Sequence, residues 1–188
     1  MRLYLFDFDG TVSKIDSFIM FSFFSSNISW FLRYWSLVLI LFPFVKKSKL
    51  KENFYLSFKG QKLTKFNSIC KNFVEKKIFN SIKISFLIFI KTLEKESQIV
   101  IVSASISNYL KPWCDEMGFD LISSELEVID GKLTGKFSTP NCNGKEKVRR
   151  IKEKYNLSQY NEIHVFGNSK GDFPMLELGT HKYYKFFK

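Results

Sequence analysis

Cysteine is scarce in this chain of 188 residues: Cys70, Cys114 and Cys142 are odd in number and show no metal-type spacing. That pattern argues against a disulfide framework and predicts three unpaired thiols in a reducing compartment. A cleavable leader is not expected either, because Met1 and Arg2 run straight into the apolar stretch Leu3-Tyr4-Leu5-Phe6. Both features lead to the expectation of a cytoplasmic protein. No charge-free apolar run reaches the length of about 20 residues that a membrane span needs. Residues 17–45 come nearest, and Arg33 interrupts them. Nucleic-acid motifs are absent too, although 29 Lys and Arg against 18 Asp and Glu give a net charge of +11. The lysines are spread over several segments, which speaks against nucleic acid as a partner. An anionic small molecule such as a phosphate ester, or an anionic membrane surface, suits the charge better.

At 188 residues and 45% hydrophobic content, the chain has room for one α/β core with a small insertion. Its most informative segment is Asp7-Phe8-Asp9-Gly10-Thr11, at the end of the first apolar run. In an extended strand Asp7 and Asp9 share a face, and Gly10 and Thr11 then bend the chain and offer backbone N–H groups to an anion. Two neighbouring carboxylates need a cation or a shared proton. Mg²⁺ satisfies this with oxygen ligands and brings a phosphate with it. On these residues alone, a strand end with two solvated acids stays open as the alternative.

Further along, the pattern predicts a strand over residues 2–8 and helices over 16–89. A continuous β-branched strand follows at Ile99-Val100-Ile101-Val102, ending in Ser103-Ala104-Ser105. A helix then runs through Tyr109 and Trp113 to Met117 and closes at Gly118. Leu121 and Ile122 read as a short strand, and residues 125–137 as a hairpin turning at Asp130-Gly131. A basic helix over 145–155 places Val148, Ile151 and Tyr155 on one face, and Ile163-His164-Val165-Phe166 is the last clear strand. The aromatic end at 183–188 is expected to hold a short strand. Strands alternating with helices imply a mostly parallel sheet with the site at the strands' carboxyl ends, where all the polar motifs lie.

In order and interval, DFDGT at 7–11, VSAS at 102–105, a lysine in CNGKEKVRR at 142–150 and GNSKGDFPML at 167–176 resemble the four motifs of the haloacid dehalogenase superfamily. The helical insert directly after the first motif is similar to the phosphoserine phosphatase-like branch. The tracts YLKPWCDEMG, EVIDGKLTGKF and PNCNGKEKVRRI resemble the subgroup containing bacterial phosphatidylglycerophosphatase C. This resemblance implies a Rossmann-like α/β core over 1–15 and 90–188, with a helical cap over 16–89. It implies a Mg²⁺-dependent phosphomonoester hydrolase. Asp7 is then the nucleophile that forms an aspartyl-phosphate, and Asp9 the general acid and base. Ser103 hydrogen-bonds a phosphoryl oxygen, and Lys147, with Lys145 as its competitor, neutralises transition-state charge. Gly10, Thr11, Ala104 and Ser105 are expected around the phosphate. The metal ligands are expected to be Asp7, the Asp9 backbone carbonyl, Asn168 and Asp172. For Ser103 and Ser105, strand-end hydroxyls satisfying a turn remain the other reading.

The fourth motif departs from the family: Asn168 stands where an aspartate is usual. An amide oxygen still ligates Mg²⁺, but one negative charge fewer weakens the site. The alternative is therefore a phosphate-binding or scaffold protein with decayed catalysis. The insert raises a second question. Residues 17–45 hold one charge, Arg33, and are followed by Lys46, Lys47, Lys49 and Lys51. They read either as a packed helical cap or as an interfacial helix or re-entrant hairpin whose lysines meet anionic headgroups, with Trp30, Tyr34 and Trp35 at interfacial depth. Arg33 either binds a substrate anion or snorkels. A cap in contact with lipid implies a lipid phosphate such as phosphatidylglycerophosphate and a place at the inner face of the membrane; a packed cap implies a small metabolite phosphate.

Overall fold

The computed structural model describes residues 1–25 and 47–188. Arg33, Trp30, Tyr34 and Trp35 lie outside the described residues, and with them most of the apolar insert on which the membrane expectation rests. Among the described residues, no helix is long and apolar enough to cross a membrane.

Strand β1 (Arg2–Phe6) is the centre of a five-stranded sheet. On one side lie β2 (Gln98–Ile106) and β3 (Asp120–Ser124); on the other lie β6 (Glu162–Gly167) and β7 (His181–Tyr184). The order is β3-β2-β1-β6-β7 and every pairing is parallel. The chain builds outward from β1 to β3, then returns to the far side of β1. That reversal puts a topological switch point at the carboxyl end of β1, the usual place for a ligand crevice in an open α/β sheet.

Strand alternation explains why the sheet is buried on both faces. Leu3 and Leu5 of β1, Val100 and Val102 of β2, and Ile163 and Val165 of β6 enter one core with Ile151 and Met175. Tyr4, Phe6, Ile101 and Phe166 enter the other, rich in phenylalanine, with Phe86, Tyr109 and Trp113. Near-continuous apolar strands are what a parallel sheet covered on both sides requires. The helices on the aromatic side are α1 (Ser17–Ser25), α2 (Lys47–Leu56), α3 (Leu63–Phe73), α4 (Ile84–Lys91) and α5 (Ser107–Met117). A wide π-type turn, Val74–Ile78, continues α3. On the opposite face lie α6 (Lys145–Lys154) and the short α7 (Phe173–Leu176). A hairpin of β4 (Leu126–Ile129) and β5 (Lys132–Phe137) stands apart from the main sheet and packs on α2. It turns at Asp130 and Gly131, both at positive φ (49° and 69°), as a two-residue hairpin demands.

Two boundaries differ from the sequence reading. β1 ends at Phe6 rather than 8, because the N–H groups of Thr11, Val12 and Ser13 all converge on the Phe8 carbonyl (3.2, 2.9 and 2.9 Å) and coil the chain there. β2 continues to Ile106, so Ser103 and Ser105 lie within the strand instead of beyond it. Ile106 is buried and pairs with Ser124 after a register shift, which keeps the chain extended. At the other end of the chain, residues 181–184 form the edge strand β7, and Phe187 folds back onto Phe6 and Phe166. All three cysteines are free and buried. Burial pushes the thiols up, Cys142 to about 11 and Cys114 to about 12, so they behave as inert core residues.

Candidate active site

Asp7 is the first residue beyond β1, and its N–H still donates to the Phe166 carbonyl of β6 (2.9 Å). The ladder therefore fixes the carboxylate at the mouth of the sheet. The turn that follows needs Gly10, with φ of +82°. A Cβ there would lie 2.0 Å from Asn168 Nδ2, so the absent side chain lets the loop after β6 close over the loop after β1. Gly167 plays the same part for Asp172, whose Cβ would be 2.5 Å from a Cβ at 167. Lys83, just before α4, locks the arrangement from behind. Its Nζ donates to the carbonyls of Gly10 (2.8 Å) and Phe187 (3.0 Å), and its N–H to that of Val12 (2.9 Å).

Lys147 is the hub. From α6 its Nζ donates to Asp7 Oδ1 at 2.6 Å and to Asp172 Oδ1 at 2.7 Å, and the side chain is 1% exposed. Lys145, the competitor, is exposed on the same helix. Helical spacing separates them: Lys147 lies one turn before the buried Ile151 and two before Tyr155, whereas Lys145 faces solvent. Asp172 is held from its other oxygen, which accepts from the Ser169 N–H (3.0 Å), the Ser169 hydroxyl (2.7 Å) and the Asn168 N–H (3.2 Å). Asp7 Oδ2 accepts from the Thr11 hydroxyl at 3.0 Å.

Charges in this cluster answer each other. Burial pushes the Asp7 carboxyl up to about 6, against the pull of Lys147. Burial also works against charge on Lys147, but the two carboxylates more than offset it and hold the ammonium above its ordinary value. For Asp172, burial is overcome by Lys147 and Ser169, and its carboxyl stays below the usual range. Lys147 is thus a permanent cation between two acids.

Asp9 is fixed separately. Its Oδ1 accepts from the Ser17 N–H and its Oδ2 from the Ser105 hydroxyl, both at 2.7 Å. Ser103 is fully buried, and its hydroxyl accepts from the Ser105 N–H at 3.0 Å. This is the turn-satisfying geometry that the sequence left open beside phosphate contact. Thr11 differs from expectation in a similar way, because its N–H is taken by the Phe8 carbonyl and its hydroxyl by Asp7. A cavity of about 650 Å³ gathers Asp7, Asp9, Gly10, Ala104, Lys147, Asn168 and Asp172. Of the expected site residues, Ser103, Ser105 and Thr11 stand behind this lining, supporting it.

Six lining residues lie outside the expected set: Asp16, Lys51, Asn141, Asn143, Ser169 and Gly171. Lys51 belongs to the basic flank that one of the two readings of the insert turned toward headgroups. Instead it is buried, with Nζ 3.2 Å from the Ala104 carbonyl and 5.5 Å from the Phe18 ring centroid. Phe18 and Phe54 draw that face of α2 into the core, and Lys51 goes with it. Asp16 accepts from the N–H groups of Phe18 (3.0 Å) and Ile19 (3.2 Å), opening α1 at the rim of the cavity.

A parallel sheet with an aspartate at the end of its central strand, a helix-borne lysine opposite and an acid after the fourth-motif loop defines a class. The chain belongs to the haloacid dehalogenase-like hydrolase family, whose model matches residues 4–177. It is similar to Protein CicA of Caulobacter vibrioides, with 28% identity over 193 residues that span 99% of this chain and 86% of that one. Among solved structures, a protein of unknown function from Bordetella pertussis Tohama I matches with a TM-score of 0.85 at 20% identity, over 95% of this chain and 87% of that one. A phospho-aspartyl intermediate analogue of phosphoserine phosphatase matches at 0.65 and 16%, over 94% and 82%. At these identities the structural likeness is one of fold.

Proposed function

We propose that this hydrolase cleaves phosphomonoesters through an aspartyl-phosphate on Asp7. The observation that carries the reading is the buried Lys147, bonded at once to Asp7 and Asp172 at the floor of one cavity. A fixed cation beside a carboxylate nucleophile is what an incoming phosphoryl dianion needs. Asp7 Oδ forms a bond to phosphorus while the bond from phosphorus to the leaving oxygen breaks and that oxygen takes the Asp9 proton. A water, deprotonated by Asp9, then attacks phosphorus, the bond to Asp7 breaks, and inorganic phosphate leaves. Ser105 and the Ser17 N–H hold the Asp9 carboxyl in place for both transfers.

The donors fit Mg²⁺, since the carboxylates of Asp7 and Asp172 and the Asn168 amide line one cavity and offer the oxygen atoms a hard cation prefers. These groups, with the Asp9 backbone carbonyl, would hold the ion, which would supply positive charge to the phosphoryl oxygens when bound. Asn168 supports a second reading, in which the site binds phosphate and turns over little. For substrate the reading keeps two classes, a small metabolite phosphate and a lipid phosphate such as phosphatidylglycerophosphate. Nucleic acid is not proposed. The protein is proposed as cytoplasmic, with peripheral contact at the inner membrane face if the insert meets lipid; carbonate-wash fractionation decides, and a wholly soluble pool sinks the membrane contact.

The test of catalysis is release of phosphate from an aryl phosphate with Mg²⁺ present, together with occupancy of Asp7 by beryllium fluoride. Turnover that survives Asp7→Asn ends the mechanism. Phosphate binding without turnover at high Mg²⁺ favours the second reading.

A further inference from the structure

The chain has two histidines, and the fold brings both to one place. His164 of β6 and His181 of β7 are register partners at the edge of the sheet, so their side chains leave it on the same face. Their rings stack with centroids 4.4 Å apart. Glu162, two residues before His164, shares that face, and its Oε2 lies 3.0 Å from His164 Nε2. One ligand atom from each of the three residues lies within 4.8 Å of the other two. Glu162 and His164 stand level with Arg2 and Tyr4 of β1, well short of Asp7. The cluster is thus apart from the cavity that holds Asp7, which none of the three residues lines.

Hydrogen bonds around the rings decide which nitrogen each one offers. The Thr180 hydroxyl has one proton and donates it to the Ile163 carbonyl (3.2 Å). Against His181 Nδ1, at 3.0 Å, it is therefore the acceptor, and Nδ1 carries the ring's proton. A neutral His181 is left with its lone pair on Nε2. His164 is placed alike: its Nδ1 meets the Tyr183 hydroxyl at 3.3 Å, while Nε2 faces the Glu162 carboxylate. A ring whose Nδ1–H is held by an oxygen, with Nε2 turned to a second ligand, is the arrangement of a metal-bound imidazole. Glu162 can serve as the third ligand. Arg2 bonds it through Nε (2.9 Å) but keeps Glu94 through Nη1 (2.6 Å) when that contact is released.

We propose that Glu162, His164 and His181 bind a zinc ion that fastens the edge strand β7 to β6, with water as the fourth ligand. Two imidazoles and a carboxylate suit Zn²⁺, and three protein ligands with an open position are a recurring coordination for it. Mg²⁺ is a poor competitor here, since it demands oxygen ligands in an octahedron. Ligand atoms about 2.0–2.1 Å from a tetrahedral Zn²⁺ stand about 3.4 Å from one another, so the three groups close in by about 1.5 Å at most. The rings are parallel to within 8°, so one must tilt to bring both nitrogens onto the ion. His181 is exposed and has room to do so. His164, stacked between Tyr4 (4.6 Å) and His181, stays as the fixed ligand.

A Zn²⁺ titration of the untagged full chain, followed by imidazole NMR, reads the site directly because the chain has only two such rings. Both Nε2 signals shift together and level off at a single equivalent, Nδ1 of each ring stays protonated, and excess Mg²⁺ moves neither. Glu162→Gln weakens Zn²⁺ binding at least about tenfold. In His181→Ala, the His164 signal no longer moves at a single equivalent of Zn²⁺. Should the backbone amide spectrum show that variant unfolded, Glu162→Gln carries the test by itself. A shift of His181 alone overturns the site, as does an unchanged Zn²⁺ affinity in Glu162→Gln. A shift of neither ring, the result if Zn²⁺ lodges at Asp7 and Asp172 instead, overturns it as well.

Discussion

Replacing Lys147 by Met offers the most demanding test of the buried cluster. Met keeps the length and packing of the side chain and deletes its charge, leaving Asp7 and Asp172 facing each other in a desolvated site. At an effective dielectric constant of about 20, each ion pair attracts by about 6 kcal/mol. Desolvation of three charged groups cancels most of that in the intact protein. Removing the cation alone exposes the repulsion and the unpaid desolvation, a loss of about 3–5 kcal/mol. Urea unfolding in EDTA, followed by the fluorescence of buried Trp113, reads this as a midpoint lowered by about 2 M at an m-value of about 2 kcal/mol/M. The loss also depends on pH. Burial has already raised the Asp7 carboxyl to about 6 beside Lys147, and without the lysine it rises further. A folded pKa above the unfolded value means that the folded state binds the proton more tightly, so stability falls as pH climbs from about 4 through the folded pKa. The variant's deficit is therefore larger at about pH 8 than at about pH 5.5. A deficit under about 1 kcal/mol at the higher pH, the size of an exposed pair, or one equal at both pH values, refutes the account of Lys147 as a buried counter-ion.

Three further outcomes are expected. Asn168→Asp restores a carboxylate to the oxygen donors and lowers the Mg²⁺ concentration for half-maximal phosphate release by about tenfold; an unchanged Mg²⁺ titration would place residue 168 outside the metal site. Gly10→Ala forces a Cβ to within 2.0 Å of Asn168 Nδ2 at a φ of +82°, which costs about 1–3 kcal/mol and lowers turnover at least tenfold; wild-type melting and kinetics in that variant would contradict the close approach of the two loops. Hydrogen bonds from Arg149, opposed by burial and joined by Arg150, hold the Glu146 carboxyl down at about 2. With the folded value below the unfolded one, this contribution is present above about pH 4.5 and is lost as pH falls toward 2. The Tm advantage of the wild type over Glu146→Gln accordingly shrinks between about pH 6 and pH 3, and a constant gap would count against it.

The strands and the first motif were legible because they are local. Leu3 to Phe6, Ile99 to Val102 and Ile163 to Phe166 announce themselves as runs, and Asp7 follows the first of them without a gap. The choice of Lys147 over Lys145 was also within reach, since positions 147, 151 and 155 share a helical face. What escaped was the wall of the cavity contributed at a distance. Lys51 looks like one more lysine in a basic flank until Phe18 and Phe54 turn that side of α2 inward. Asn141 and Asp16 lie in connecting segments with no periodicity to mark them. The extension of β2 through Ser105 was hidden because its cause is Ser124, a pairing partner from another strand. Polar residues whose role depends on which neighbours arrive across the fold carry no signal in their own stretch of chain.

One ammonium group ties the turn after Asp7 to the segment after β7: Lys83 grips the carbonyls of Gly10 and Phe187 together. Alterations at residues 186–188 are therefore felt some 180 positions upstream. A purification tag fused directly behind Lys188 pulls on the same tether that sets the curvature beneath Asp7, and a short flexible spacer there would keep such a handle from distorting the kinetics it is meant to help measure.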